Sequence, residues 1–173
     1  MMREEKENEK GKKLRYTAIA IILIAILTFI SIYTYVSNSI NSALTASLET
    51  FSFESAIATP TVEGAELNIT FILTNPTEFP IIIDTIIISF SIDNVDIGGP
   101  PSINPNETVL AGKHNYFFFY NRVIKENVLN SLQNETYKLS VTEGSWIRGS
   151  ASYLFFQTHI TKPIAFSTIV QNP

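Results

Sequence analysis

Cysteine is absent from the 173 residues. That excludes disulfides and thiolate metal sites, so a folded domain in this chain must be held by its core. Histidine is scarce, with His114 and His159 the only two. Each falls in a strand-like segment with no second ligand at short spacing, which points to a structural or surface role before a metal ligand or general base. The sequence offers no nucleophile with a neighbouring base and no cluster of metal ligands. The expectation is therefore a protein without catalytic, cofactor or metal site, not an enzyme. A histidine set by the fold beside a carboxylate in a cleft would reopen that question. Asp93-Asn94-Val95-Asp96-Ile97-Gly98 has the look of a calcium loop but lacks the alternating oxygen ligands and the terminal Glu. These residues are also what a tight strand connection needs. Positive charge has a gap of its own: no lysine or arginine lies between Arg15 and Lys113.

Part of that gap is an apolar run, residues 17–36 (TAIAIILIAILTFISIYTYV), without charge, Gly or Pro. At about 1.5 Å per residue its length matches the ~30 Å hydrocarbon core of a bilayer. Lys10, Lys12, Lys13 and Arg15 crowd its N-terminal flank, and basic residues beside a span favour the cytoplasmic side. Glu4, Glu5, Glu7 and Glu9 do not reverse this, because acidic residues contribute little to orientation. The expected order is a cytoplasmic charged tail over residues 1–16 and a transmembrane signal-anchor over 17–36. A helical stalk or linker over 37–50 and an extracytoplasmic domain over 51–173 follow. A cleaved signal would have a shorter apolar core and small residues where Tyr33, Tyr35 and Val36 stand. Ser42, Ala43, Thr45, Ala46 and Ser47 leave a later cut open. A pilin-like leader cut near Lys10-Gly11 would put Lys12, Lys13 and Arg15 ahead of the run, awkward for a helix packed in a filament core. Tyr33 and Tyr35 fit an interfacial aromatic belt.

Beyond the run the chain carries six basic and twelve acidic residues, a charge of −6. That balance argues against nucleic acid as a partner and against a polybasic grip on anionic lipid, so no nucleic acid is expected among its partners. Ile40, Leu44 and Leu48 recur every four residues and Phe51 continues the stripe, as a helical stalk would. Strands follow. Residues 51–59 alternate loosely before Pro60. In 66–74, Leu67, Ile69, Phe71 and Leu73 share one face, and Asn75-Pro76 ends the strand. Residues 81–93 (IIIDTIIISFSID) form the longest strand candidate. Its even residues, Ile82 to Ile92, are expected inside, with Asp84 at the exposed end. Gly98-Gly99-Pro100-Pro101 breaks the chain, and Pro105-Asn106-Glu107 turns it before a short strand over 108–111. The aromatic segment 113–121 is a further strand. Val123, Ile124, Val128, Leu129 and Leu132 then fall at helical spacing, predicting one short helix over 123–132. Residues 136–142 alternate, Glu143-Gly144 turns, and 146–158 is the last strand, with Gly149 a point where it can bend. The tail after Pro163 is mildly apolar and ends QNP. The fold class is therefore mainly β, an antiparallel two-sheet sandwich of about seven strands with one short helix.

The order of these signals carries a resemblance. An apolar strand ends in Asn75-Pro76, and Phe79-Pro80-Ile81 opens a long strand (LTNPTEFPIII). A Gly-Gly break, a short strand, an aromatic strand, one helix and two final strands follow. Over roughly residues 63–162 the chain resembles the late-embryogenesis-abundant type 2 family, also called the WHy (water stress and hypersensitive response) domain. The resemblance implies a fibronectin-like β-sandwich, no family-wide active site, and roles in dehydration protection, protein interaction or lipid handling. The Asn75-Pro76 pair itself reads as local: Asn bonds its own backbone in a turn, and Pro stops the ladder.

Two kinds of candidate site remain. Alternation along 113–121 places Phe117 and Phe119 inside and Tyr116, Phe118 and Tyr120 on the other face. If exposed, those three form an apolar contact patch. Phe155 and Phe156 add to the aromatic concentration, and core packing is the competing role for all of these rings. Asn68-Ile69-Thr70, Asn106-Glu107-Thr108 and Asn134-Glu135-Thr136 fit the N-glycosylation pattern, whereas Pro76 excludes Asn75. Asn106 and Asn134 sit in expected turns; Asn68 lies within a strand and is the least favoured. The expected protein is a single-span membrane glycoprotein that displays a binding or protective sandwich at the cell envelope. Its expected partners are the membrane and an envelope, surface-layer or appendage protein, or lipid. The alternative is a structural anchor or accessory subunit of a surface appendage or surface layer.

Overall fold

The computed structural model describes residues 2–97, 102–153 and 156–171, with side chains from residue 12 onward. The chain break expected at Gly98-Gly99-Pro100-Pro101, the ring of Phe155 and the last two residues of the QNP tail lie outside the described residues. The protein is mainly β, with a long N-terminal helix and antiparallel sheets. Helix α1, Met2–Glu49, covers the apolar run and the segment after it in one element. By compactness the chain divides into Met1–Ser39 and Ile40–Pro173, so α1 contributes to both units.

In the first unit every side chain from residue 12 to 35 is exposed. Among the described residues, Lys12–Glu49 is the one helix long and apolar enough to cross a membrane. Besides Tyr33 and Tyr35, the run holds four aliphatic hydroxyls. Thr17, Thr28, Ser31 and Thr34 each donate to the carbonyl four residues back, at 2.8–3.0 Å. Such bonds satisfy a hydroxyl without help from water.

The second unit opens with the last ten residues of α1. Ile40, Ala43, Leu44, Ser47 and Leu48 are buried there, the i, i+3, i+4, i+7, i+8 stripe of a helix packed on one side. Twelve strands follow among the described residues: β1 (Ser52–Thr61), β2 (Gly64–Thr74), β3 (Ile81–Ile87), β4 (Phe90–Ile92), β5 (Val95–Asp96), β6 (Ser102–Ile103), β7 (Glu107–Val109), β8 (His114–Val123), β9 (Thr136–Val141), β10 (Trp146–Tyr153), β11 (Phe156–Pro163) and β12 (Phe166–Gln171). Helix α2 (Glu126–Leu132) lies between β8 and β9 and buries Val128 and Leu132; it is shorter than the expected 123–132, because Val123 ends β8 facing the core and Ile124 stands exposed before the helix. The sheets run β1-β2-β8, β11-β10-β3-β6 with β7 also on β3, and β12-β9-β4-β5. Every pairing is antiparallel.

The count of about seven strands is corrected to twelve, for two main reasons. The long candidate over 81–93 is two strands. β3 pairs with β10 and β4 with β9, so the chain changes sheets across Ile88 and Ser89. Its facing also shifts. The β3–β10 register slips between Arg148 and Gly149, leaving Asp84 as the extra residue of a bulge. A bulge advances the alternation by one. Ile81 and Ile83 are therefore buried before it, and Ile86, Ile88, Phe90 and Ile92 after it. Ile82 and Asp84, expected on the inner face, lie half-buried on the other. The second reason is the C-terminal segment. The single strand expected over 146–158 is a hairpin, β10 and β11 paired from Tyr153↔Phe156 to Trp146↔Pro163, and the tail supplies β12. Tyr153-Leu154-Phe155-Phe156 has none of the Gly, Asn or Asp that mark hairpin turns in sequence.

The core centres on Phe71. Its ring stacks on Phe51 at 5.0 Å and meets Phe119 at 5.4 Å and Phe166 at 5.6 Å edge-on, with Phe90 stacked at 6.1 Å. Since Phe119 is on β8, and Phe90 and Phe166 are on β4 and β12, this cluster ties the first sheet to the third. Gly149 makes room for the helix. A Cβ there would lie 3.1 Å from Leu44 Cδ1, 3.2 Å from Leu48 Cδ2 and 3.2 Å from the Ile82 carbonyl oxygen. Thr158 on β11 bonds Asn41, and Lys162 on β11 reaches Glu49 at 3.6 Å, so polar contacts flank the buried stripe.

Candidate interaction face

The outer face of the β1-β2-β8 sheet brings together the residues singled out from the aromatic segment. On β8, Phe117 and Phe119 point into the core. Tyr116, Phe118 and Tyr120 point out, with 43%, 70% and 54% of their surface exposed. Alternate residues of one strand repeat every ~6.6–6.8 Å, so the three rings form one column. Register supplies the rest of the face. Tyr120 lies opposite Asn68, Phe118 opposite Thr70, and Tyr116 opposite Ile72 on β2. Across β2, Asn68 faces Ile57 and Thr70 faces Ser55 on β1. Ile57 is exposed as well. The face is thus apolar along β8 and at Ile57 and Ile72, with a polar strip of Ser55, Asn68 and Thr70 between. Sequence reasoning missed the two isoleucines, because cross-strand register is not written locally.

Charge gathers at one end of this face. Glu66 lies opposite Arg122 on β8, and Arg122 also pairs with Glu63. A hydrogen bond to the Glu66 carboxylate raises the Tyr120 phenol above its ordinary pKa, with desolvation and the Glu66 charge adding to it and Arg122 opposing.

Asn75 anchors the other end. It is fully buried at the foot of β2. Its Oδ1 accepts from Ser47 Oγ at 2.9 Å, Thr77 N at 3.1 Å and Thr77 Oγ1 at 2.7 Å. Its Nδ2 donates to the carbonyls of Phe79 at 2.7 Å and Val109 at 3.0 Å. Its backbone N–H donates to Lys113 O, and its own carbonyl accepts from Gly112 N. The purely local role expected for Asn75 is therefore corrected. The bonds with Thr77 and Phe79 are local, but those with Ser47, Val109, Gly112 and Lys113 join α1, the end of β7 and the turn that starts β8. No signal in a single sequence marks an Asn in a turn as one with such distant partners.

All three sequon asparagines are exposed. Asn106 has φ +46° in the turn before β7, Asn134 follows α2, and Asn68 stands in mid-β2. Asp93 and Asn94, with φ +47° and +67°, form the two-residue turn of the β4–β5 hairpin, as a type I′ turn requires. Asp93 is further tied to Lys138 N through Oδ1 at 2.9 Å. No group of three or more potential metal-ligating residues occurs among the described residues.

His159 does lie beside a carboxylate. Its Nδ1 is 3.6 Å from Asp84 Oδ2, while Ser150 Oγ donates to Asp84 Oδ1 at 3.0 Å. The order is wrong for nucleophilic catalysis, which needs the imidazole between hydroxyl and carboxylate. Here the carboxylate stands in the middle, and Ser150 is buried. His114, at the start of β8, meets Tyr116 edge-on at 5.4 Å. Trp146 is half-buried at the start of β10. One cleft of about 460 Å³ lies elsewhere, between the β1–β2 turn and α2, lined by Pro60, Val62, Gly64, Leu129 and Leu132. A smaller one of about 200 Å³ lies beside Leu48, Phe51 and Ile164.

No family model matches the chain, and no curated protein does. Solved structures do. The chain is similar to an Arabidopsis thaliana protein, AT1g01470, known from its solution structure, at 17% identity and a TM-score of 0.51 over 71% of this chain and 81% of the other. It also matches a candidate late embryogenesis abundant (LEA) protein, at 10% identity and a TM-score of 0.47 over 83% and 84%. A third match, a protein from Archaeoglobus fulgidus, has 16% identity and a TM-score of 0.37 over 69% and 98%. The first indicates a common fold; the other two add no argument.

Proposed function

We propose that the chain is a single-span membrane protein that displays a fibronectin-like β-sandwich of the LEA type 2 (WHy) kind outside the cytoplasm. It works there by binding or protection and not by catalysis. The anchor is the fully exposed apolar part of α1 with its four self-satisfied hydroxyls, and the basic flank sets the orientation. The observation that carries the binding role is the exposed column of Tyr116, Phe118 and Tyr120 on an uncovered sheet face. Exposed aromatics with polar neighbours are what a contact surface presents.

Orientation is testable because the chain lacks cysteine. Asn8→Cys and Val62→Cys variants, treated in intact cells with a membrane-impermeant maleimide, should differ. Cys at 62 reacts at once, and Cys at 8 reacts only after permeabilisation. The reverse pattern overturns the orientation, and equal labelling of both overturns the span. Crosslinking in intact cells then tests the face: Phe118→Ser should remove crosslinks seen with the parent chain. Stable recovery of a filament or surface-layer protein would make the domain a structural subunit instead.

A further inference from the structure

We propose that Asn68 carries an N-linked glycan whose first sugars lie across Phe118 and Tyr120. The proposal rests on the extracytoplasmic placement given above, since glycan transfer takes place on that side. Two separate features coincide on one sheet face. The first is the sequon Asn68-Ile69-Thr70. Ile69 is buried, so strand alternation turns Asn68 and Thr70 outward together. Asn68 is exposed. The second feature is the aromatic column. Register puts Asn68 directly opposite Tyr120, and Thr70 opposite Phe118.

Directly opposed residues have Cβ atoms about 4.5–5.5 Å apart, and diagonal neighbours about 7–8 Å. A sugar joined to Asn68 Nδ2 therefore begins within reach of both rings. An aromatic ring has a negative face. One face of a pyranose is lined by C–H groups and suits it, while the hydroxyls at the sugar's edge meet Ser55, Thr70 and water. Ile57 closes the far side of Asn68. Phe118, the most exposed of the three rings, is the one such a glycan would cover best, so that a partner on this face would meet Tyr116 and the ring-held glycan together. Asn106 and Asn134 stand in turns, outside any strand row that carries an exposed ring. Geometry thus reverses the order read from sequence, where Asn68 is least favoured for lying in a strand.

The co-reactant is an oligosaccharide on a lipid-phosphate carrier. The Nδ2–C1 bond forms, the C1–O bond to the carrier phosphate breaks, Nδ2 loses one proton to a base of the transferase, and the lipid phosphate leaves. Transfer precedes closure of β2 into its sheet, while residues 68–70 are still accessible.

The test uses the full chain isolated from its native membrane. Peptide mapping by mass spectrometry should find a sugar mass on Asn68. Thr70→Ser should keep it, and Thr70→Ala and Asn68→Gln should lose it. In the intact protein the first sugar's proton resonances should be shifted upfield by ring currents, and Phe118→Ser should return them toward free-glycan positions while the sugar remains attached. Enzymatic removal of the glycan should lower the thermal midpoint by a few degrees in the parent chain and leave the Phe118→Ser midpoint unmoved. An unmodified Asn68 overturns the proposal, whatever is found at Asn106 or Asn134. Modification at Asn68 with no ring-current shift overturns the stacking. Maleimide labelling of Val62→Cys separates the two failures. Labelling with Asn68 bare ends this inference alone, and absence of labelling in intact cells ends the placement as well.

Discussion

Residues 12–35 and 40–49 belong to one helix and behave as two different solutes. From Thr17 onward the first stretch is apolar on every side, and none of it is buried within the protein. The second is apolar on one stripe only, and that stripe is almost wholly buried among strands. Hydrogen bonding along α1 is the same in both, so the helix itself does not separate them. What separates them is where the side chains go. One stretch relies on its surroundings to accept its surface, and the other helps make the core of the β unit. Apolar character alone therefore says little about stability until its partner is known.

The largest effect should come from emptying the buried stripe. Leu44→Ala and Leu48→Ala are each expected to cost about 2–5 kcal/mol, and together to exhaust much of the ~5–15 kcal/mol of a typical domain. Urea unfolding followed through the single tryptophan, Trp146, measures this. Leu27→Ala in the exposed stretch should stay within about 0.5 kcal/mol in the same assay. A comparable loss at Leu27 and Leu44 would erase the contrast.

Asn75→Asp comes next, because it tests whether the helix end is tied by polar contacts as well as packing. The new carboxylate oxygen faces the Phe79 and Val109 carbonyls, which lose their donor. An unsatisfied buried group costs about 1–3 kcal/mol, more when charged. A loss of about 3 kcal/mol is expected, and a neutral result would show the network to be dispensable. Gly149→Ala follows at about 1–3 kcal/mol, since its methyl must push Leu44, Leu48 or a carbonyl. Combined with Leu44→Ala, the loss should be less than additive, because the truncated side chain makes room.

The smallest effect concerns a buried group away from the helix. Desolvation pushes the Tyr137 phenol on β9 up to about 12, and its Oη has no hydrogen-bond partner among the described residues. The unfolded chain ionises near its ordinary value of about 10, before the folded one does. The folded form then holds the extra proton, so stability is full below about pH 10 and falls toward pH 12. Tyr137→Phe should remove that part of the alkaline decline and leave neutral stability unchanged or higher, as seen in thermal midpoints from pH 8 to pH 11.

Much of this was legible locally. The apolar run, the inward residues Leu67 to Leu73, the facing of Phe117 against Phe118, and α2 all follow from periodicity within one segment. What sequence did not show depends on partners far along the chain. Asp84 shifts the facing of β3 only because β10 slips against it. The β10–β11 hairpin turns without the usual turn residues. Ile40, Leu44 and Leu48 form a plain stripe whose destination is set by Gly149, more than a hundred residues later. The candidate face divides the same way: its column was readable along β8, and its companions Ile57, Asn68 and Ile72 only through register.

The aromatic column lies on β8, and among the described residues β8 pairs with β2 alone. Ten residues of strand thus keep one side of their backbone free to bond, beside three exposed rings. Its ionisable guards are His114 and Arg122, one near each end, with no charge between. An open edge of that kind is a template for a second chain. Whatever lies over Phe118 therefore also controls how crowded the protein can become before copies begin to pair edge to edge, and an uncovered column would set a low ceiling on its density in a membrane.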